Sequence, residues 1–176
     1  MFEFQPELSG KLIRLRGLVS ADFESLYQVA SDPVIWEQHP DKTRSEREGF
    51  RKFFDKAIDS GGTLLAMDAV SNAAIGCSRF HSLREAESDI TIGYTFLARA
   101  CWGGTCNTEM KHLMLGHAFR FVQSVRFRIA EHNMRSRRAV EKLGASFLGP
   151  EDHQEFGQTH VLYAIDRKEW HQISLR

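Results

Sequence analysis

Between Trp102 and Asn107 the chain reads W-G-G-T-C-N, a turn whose glycines, Gly103 and Gly104, can take backbone angles closed to other residues. An apolar-periodic stretch follows at once, with Met110, Leu113, Met114, His117 and Phe121 at i, i+3, i+4, i+7 and i+11. That spacing lines one face of a helix and predicts that this face is core, with Lys111, His112 and Arg120 turned away from it. A glycine turn running into a helix leaves the first helical N–H groups unpaired, and together with the helix dipole they attract a phosphate. Trp102, Gly103, Gly104 and Thr105 therefore form a candidate phosphate cradle, with Thr105 or Asn107 capping the helix. The same turn also serves as a plain strand-to-helix connection, and the glycines alone do not separate the two readings. It is not a P-loop, since no Gly-Lys-Ser/Thr follows, nor is it the G-x-G-x-x-G of dinucleotide sites.

Downstream, a short strand V-R-F-R-I-A-E-H-N runs into M-R-S-R-R-A-V-E-K-L-G-A. Asn133 and Ser136 stand at N-cap and N3 spacing, and capping is by itself sufficient reason for both. Arg135, Arg137 and Arg138 make a local basic cluster that is equally compatible with a solvated face. Groups able to carry a proton are Glu131 at the end of this strand, Glu87 and Asp89 at the start of the preceding one, and His81 and His132, since histidine titrates near neutrality. Each of these residue types is also common as a solvated or paired side chain. Cys77, Cys101 and Cys106 are odd in number and lack Cys-x-x-Cys spacing, which argues for reduced thiols and against a disulfide framework or a zinc site.

The elements that must position these residues are legible from periodicity. Ile90, Ile92, Tyr94 and Phe96 alternate with Asp89, Thr91, Gly93 and Thr95, predicting a half-buried strand with one apolar face. Nearer the start, Lys11 to Leu18 reads as a strand, followed by a helix capped by Ser20 or Asp22 and ended by Asp32-Pro33. A second helix from Ser45 presents Phe50, Phe53, Phe54 and Ile58 before Gly61-Gly62. Its aromatics cover a sheet or, with Trp36 and Phe50 or Phe54, wall a groove. Thr63 to Val70 and Ala74 to His81 form a hairpin over Ser71-Asn72, Leu83 to Ser88 is a charged connection, and Ser146 to Phe156 and Thr159 to Asp166 are joined near Gly157.

The 176 residues suit one domain over residues 1–176, with no repeat or linker to divide them. A 42% hydrophobic and 26% charged composition is ordinary for a folded chain. No apolar run is long enough for a membrane span, and the start resembles no signal peptide, so a cytoplasmic location is expected. With 23 basic and 23 acidic side chains the formal charge is zero, leaving no global field for nucleic acid or an anionic membrane.

Together, W-G-G-T-C-N-T-E-M and N-M-R-S-R-R-A-V-E-K-L-G-A resemble the GCN5-related N-acetyltransferase (GNAT) superfamily, in particular its ribosomal-protein N-terminal acetyltransferase branch. Thr105 departs from the branch's usual second glycine, and Ala100 from its frequent Arg or Gln. The resemblance implies an α/β (α+β) fold: a mixed, mostly antiparallel sheet with a splayed parallel strand pair, flanked by about four helices. It implies acetyl-CoA as co-substrate, no metal, and acetyl transfer to a primary amine by direct attack on the thioester. Backbone groups near Thr95, Phe96 and Leu97 would meet the pantetheine arm and the thioester carbonyl, and the Trp102 to Thr108 turn the pyrophosphate. Asn133 would orient the cofactor, Ser136 would protonate the departing thiolate, and Arg135 and Arg138 would reach its adenosine-end phosphates. A base must take the amine's proton, and Glu131 is the first candidate, with Asp89, Glu87, His81 and His132 as the others. Glu109 reads as structural, and neither Cys101 nor Cys106 as a nucleophile. The acceptor is a small molecule or a protein N-terminus, and homodimers are compatible with the family. The alternative is a non-catalytic acyl-CoA-binding sensor or interaction module on the same fold.

Overall fold

The computed structural model describes residues 1–151 and 159–174. Its strands are β1 (Leu8–Ser9), β2 (Ile13–Gly17), β3 (Thr63–Asp68), β4 (Ala74–Arg84), β5 (Asp89–Leu97), β6 (Ser124–Ala130), β7 (Ser146–Glu151) and β8 (His160–Asp166). The helices are α1 (Phe23–Ala30), α2 (Arg47–Asp59), α3 (Thr105–Ala118), α4 (Met134–Glu141) and α5 (Arg167–Ser174). All eight strands join one sheet in the order β1-β2-β3-β4-β5-β6-β8-β7. Every neighbouring pair is antiparallel except β5 and β6. The mixed, mostly antiparallel sheet with one parallel pair is thus as expected, with a fifth helix, α5, that the periodicity reading did not include.

Two cores lie on the two faces of the sheet. On one face Ile90, Ile92, Phe80, Val125, Phe127 and Ile165 pack with Met110, Met114 and Leu115 of α3, Val140 of α4 and Trp170 of α5. On the other, α1 and α2 bring Phe23, Leu26, Phe50, Phe53 and Phe54 against Leu65, Cys77 and Phe96. Phe50, Phe53, Phe54 and Ala57 of α2 fall at i, i+3, i+4 and i+7 and are all buried. Trp36, Phe50 and Phe54 are therefore core and wall no groove, the Trp36 ring lying 5.0 Å from that of Phe96. Burying each such ring contributes about 1.5–3 kcal/mol.

Four sequence expectations change. The strict alternation of β5 breaks at a bulge: Arg79 pairs with Gly93 and Cys77 with Phe96, so Tyr94 and Thr95 both lie opposite Ser78. Tyr94 takes the left-handed region (φ 51°), and beyond it Phe96 joins the α1/α2 core while Ile90 and Ile92 face α3. The buried face of α3 is also rotated from the predicted one. Lys111, Leu115 and Ala118 are buried with Met110 and Met114, while Phe121 lies past the helix end and is exposed. Because α3 is apolar on more than one side, the period alone does not fix which arc turns inward. More locally, β4 extends through Leu83 and Arg84, and the connection shrinks to the turn before Asp89. Asp22 does not cap α1: its carboxylate accepts from Val19 N and pairs with Arg16. The expected turn near Gly157 lies outside the described residues.

Candidate active site

The site follows from where β5 and β6 part. They pair over three positions only, Asp89 with Ser124, Ile90 with Val125 and Thr91 with Arg126. β5 then continues to Leu97 and β6 to Ala130 without further pairing, leaving a gap whose apex is at Thr91 and Arg126. The backbone groups of Ile92 to Leu97 that face β6 have no strand partner, and the bulge at Tyr94 and Thr95 lies within this unpaired stretch. Phe96 and Leu97 are buried, whereas Thr95 is exposed.

Beneath the bulge, from the α3 side, comes Lys111, 4% exposed. Its Nζ donates to Thr95 Oγ1 at 2.6 Å and to Ser78 Oγ at 3.0 Å, and these two hydroxyls are 2.7 Å apart. Burial pushes the Lys111 ammonium down to about 7. The sequence places Lys111 on the outer face of the helix, so this contact is legible only once the helix rotation is known.

Past β5 the chain turns through Arg99–Cys101 into Trp102, whose indole N–H donates to Leu97 O at 3.0 Å. Gly103 has φ 68°, a conformation that favours glycine, and neither Gly103 nor Gly104 has an atom within 4 Å of where a Cβ would stand. Gly104 is the N-cap of α3, and no side chain caps the helix. Thr105 and Asn107 thus lie inside the helix and do not cap it. As the first helical residue, Thr105 does not appear among the left-handed positions, so the missing second glycine is no backbone obstacle. Cys106 and Asn107 are half-buried and Thr108 is exposed. Glu109 on the first turns of α3 accepts from Lys11, Leu12 and Ile13 N–H at 2.8–2.9 Å, tying the helix to the start of β2. Its structural reading holds.

Across the gap, Asn133 caps α4: its Oδ1 accepts from Ser136 N at 3.1 Å. Arg135 donates from Nη2 to Ile35 O at 2.7 Å, and its guanidinium lies 4.0 Å from the centre of the Trp102 ring, spanning the two sides. Burial lowers its ordinary value. Arg137 donates to Tyr163 Oη and Glu131 O, and Arg138 is exposed.

The proposed bases separate by position. Glu87 and Asp89 lie at the closed end of the β5/β6 pair. Asp89 is 2% exposed and ion-paired with both Arg84 and Arg126, which leaves it no role as a free base. Glu131 and His132 are exposed at the open end, just past β6. His81 pairs in register with Thr91, its ring 5.1 Å from that of Tyr94. Gly93 makes room for this imidazole, since a Cβ there would stand 2.8 Å from His81 Nε2. Burial, with the charges of Arg79 and Arg128, pushes His81 down to about 4, so its ring is neutral at physiological pH. No group of three His, Cys, Asp or Glu able to hold a metal is present among the described residues.

A family model described as an acetyltransferase (GNAT) domain matches residues 13–146. The chain belongs to the GNAT acetyltransferase family. No curated protein matches it in sequence. Among solved structures, a GCN5-related N-acetyltransferase from Brucella melitensis superposes with TM-score 0.86 at 19% identity, over 97% of this chain and 83% of that one. A GNAT-family acetyltransferase from Bacillus anthracis gives 0.77 at 19% identity, over 93% and 100%. Spermidine N-acetyltransferase from Vibrio cholerae, in complex with CoA and spermine, gives 0.69 at 15% identity, over 92% and 99%. These likenesses confirm a GNAT fold, and acetyl transfer from acetyl-CoA is the chemistry of the GNAT family. Among the described residues no helix is long and apolar enough to cross a membrane.

Proposed function

We propose that the protein is an acetyl-CoA-dependent N-acetyltransferase in which a primary amine, on a small molecule or a protein N-terminus, attacks the thioester directly. The observation that carries this is the coincidence of the β5/β6 gap with the bulge at Tyr94–Thr95. An unpaired strand edge suits an amide-bearing arm. The uncapped, open N-terminus of α3 suits a diphosphate. The residues present thus fit acetyl-CoA, which supplies the activated acetyl group when bound. Trp102 to Thr108 would hold its pyrophosphate, Thr95, Phe96 and Leu97 its pantetheine arm, and Asn133 and Arg138 its remaining polar groups. Arg135 reaches the same region by releasing Ile35 O.

The chain's own residues then move protons. Ser136, fixed by the Asn133 cap, delivers one to the departing thiolate. His81 accepts one from the amine, ahead of Glu131, because its imidazole lies over Gly93 of β5 while Glu131 is exposed past the end of β6. Calorimetry with CoA and dephospho-CoA, combined with a thiol-release assay on a panel of amines, tests the reading. Micromolar CoA binding with amine-dependent thiol release is expected. Binding without release for any amine would favour the sensor alternative, and no binding at millimolar CoA would remove both.

A further inference from the structure

The open face of the sheet beside the gap carries a second, polar site. α1 and α2 cover this face only toward β2–β4 and the far half of β5. Where β5, β6, β8 and β7 run together no helix among the described residues covers it, and a cavity of about 90 Å³ opens there, lined by Ser82, Arg84, Thr91, Arg126, Arg128 and Glu151 with Leu162. Three guanidinium groups meet two carboxylates. Asp89 is buried and shared by Arg84 and Arg126. Arg128 donates from Nε and Nη2 to Glu151 at 2.6 and 3.0 Å.

The pairing is incomplete on the arginine side. Arg126 Nε sits 2.8 Å from Asp89 Oδ2 without the alignment of a hydrogen bond. Among the described residues no acceptor is hydrogen-bonded to either of its terminal nitrogens. The side chains of Arg126 and Arg128 are 30% and 31% exposed, so their forks face the cavity half-desolvated. An arginine fork matches a carboxylate or phosphate bidentately and binds it best when partly removed from water. On a chain with zero formal charge, such a cluster is a local recognition device and not part of a broad field.

Its place relates it to the amine. Thr91 pairs with His81 on one side and Arg126 on the other, so His81, Thr91 and Arg126 form one row across three strands. Two strand spacings, about 10 Å, separate the ends of that row.

Resting on the acceptor chemistry above, we propose that Arg84, Arg126 and Arg128 form an anion site of the acceptor pocket, and that the acceptor is an amine bearing a carboxylate or a phosphate and not a polyamine. The amine lies at the gap beside His81, and the anion lies in the arginine cavity.

The test is a matched series titrated calorimetrically into the full chain, with and without saturating CoA: hexylamine, hexanediamine, 6-aminohexanoate and the phosphate monoester of 5-aminopentanol. The proposal expects the two anionic amines to bind at least ~10-fold tighter than hexylamine, and hexanediamine to bind weakest. Which anion binds better identifies the headgroup. Arg126→Gln, which leaves Asp89 its pairing with Arg84, should bring the ratio between 6-aminohexanoate and hexylamine close to one. Arg14→Gln removes the same charge at the far edge of the sheet, where Arg14 bonds Asn72, and should preserve the ratio. Equal affinity across the series, a preference for hexanediamine, or no binding of any member would each overturn the proposal. Because CoA binding is measured in the same experiment, loss of the acetyl-CoA reading registers separately from loss of the anion site.

Discussion

Lys111→Met is the substitution whose outcome follows most directly from the structure. The ammonium is buried beneath the bulge with two neutral hydroxyls, Ser78 Oγ and Thr95 Oγ1, as its hydrogen-bond partners among the described residues, and its affinity for a proton falls from the ordinary 10.5 to about 7. At about 1.4 kcal/mol per tenfold change, that fall is worth about 5 kcal/mol between its limits. The sign is fixed by linkage. Between about 7 and 10.5 the unfolded chain holds the proton and the folded one does not, so stability rises with pH across that window. Below about 7 both states are protonated and the full cost is present. Between pH 7 and pH 9 the wild type should therefore gain about 2 kcal/mol from this group alone. Methionine is of similar length and apolar, and Ser78 Oγ and Thr95 Oγ1, 2.7 Å apart, retain each other as partners. Lys111→Met should thus be more stable than the wild type at pH 7, with an advantage that shrinks toward pH 9. Cys77, pushed up to about 12 by burial and drawn down in part by the charges of Arg79, Arg44 and Lys111, contributes the opposite slope mainly above the ordinary thiol value of 9, so the comparison is confined to pH 7 to 9. Urea unfolding of the pair at several pH values isolates the difference. Parallel stability curves, or a variant weaker than wild type throughout, would refute the reasoning.

Three other outcomes are expected. Gly93→Ala drives a methyl group into His81 and should lower turnover at least ~10-fold with CoA affinity retained; normal turnover would take the proton-accepting role from His81. Asp89→Asn leaves Arg84 and Arg126 without their shared carboxylate and should cost about 3 kcal/mol in urea unfolding; a loss under ~1 kcal/mol would mean that water pairs the guanidiniums instead. Ser136→Ala should reduce turnover more than CoA affinity, since Asn133 still caps the Ser136 N–H, and unchanged turnover would remove the hydroxyl from the thiolate step.

Much of the fold was legible because its signals are local. The alternation of β5, the aromatic spacing of α2, the glycine turn and the Asn133 cap are each written within a few residues. What escaped depends on relations between distant segments. The rotation of α3 is set by what the sheet offers it, and Lys111 is buried because Ser78 and Thr95 converge there. Arg84, Arg126 and Arg128 become one cluster only when β4 and β6 lie on either side of β5. A signal for the last was available: Arg126 and Arg128 flank Phe127 in a strand that reads R-F-R, which marks a polar face on a central strand and not a covered one. Glu109, legible as structural, holds residues 96–98 positions away, a distance that no periodicity reports.

Counting along β5 without Tyr94 restores perfect parity: Ile92 toward α3, Gly93 away, Thr95 toward α3, Phe96 away, Leu97 toward α3. Against β4 the register then also runs without a break, Arg79 to Gly93, Ser78 to Thr95 and Cys77 to Phe96. Tyr94 is a surplus residue, outside the sheet's own arithmetic, held in left-handed angles that favour glycine. Excising this single residue would leave every neighbour in its present core and the ladder regular from Gly76 to His81, the separate shift between His81 and Arg84 remaining. The chain would lose the contour proposed to meet the thioester while keeping, or improving, its architecture. A one-residue deletion here thus separates what the molecule needs in order to fold from what it carries in order to act.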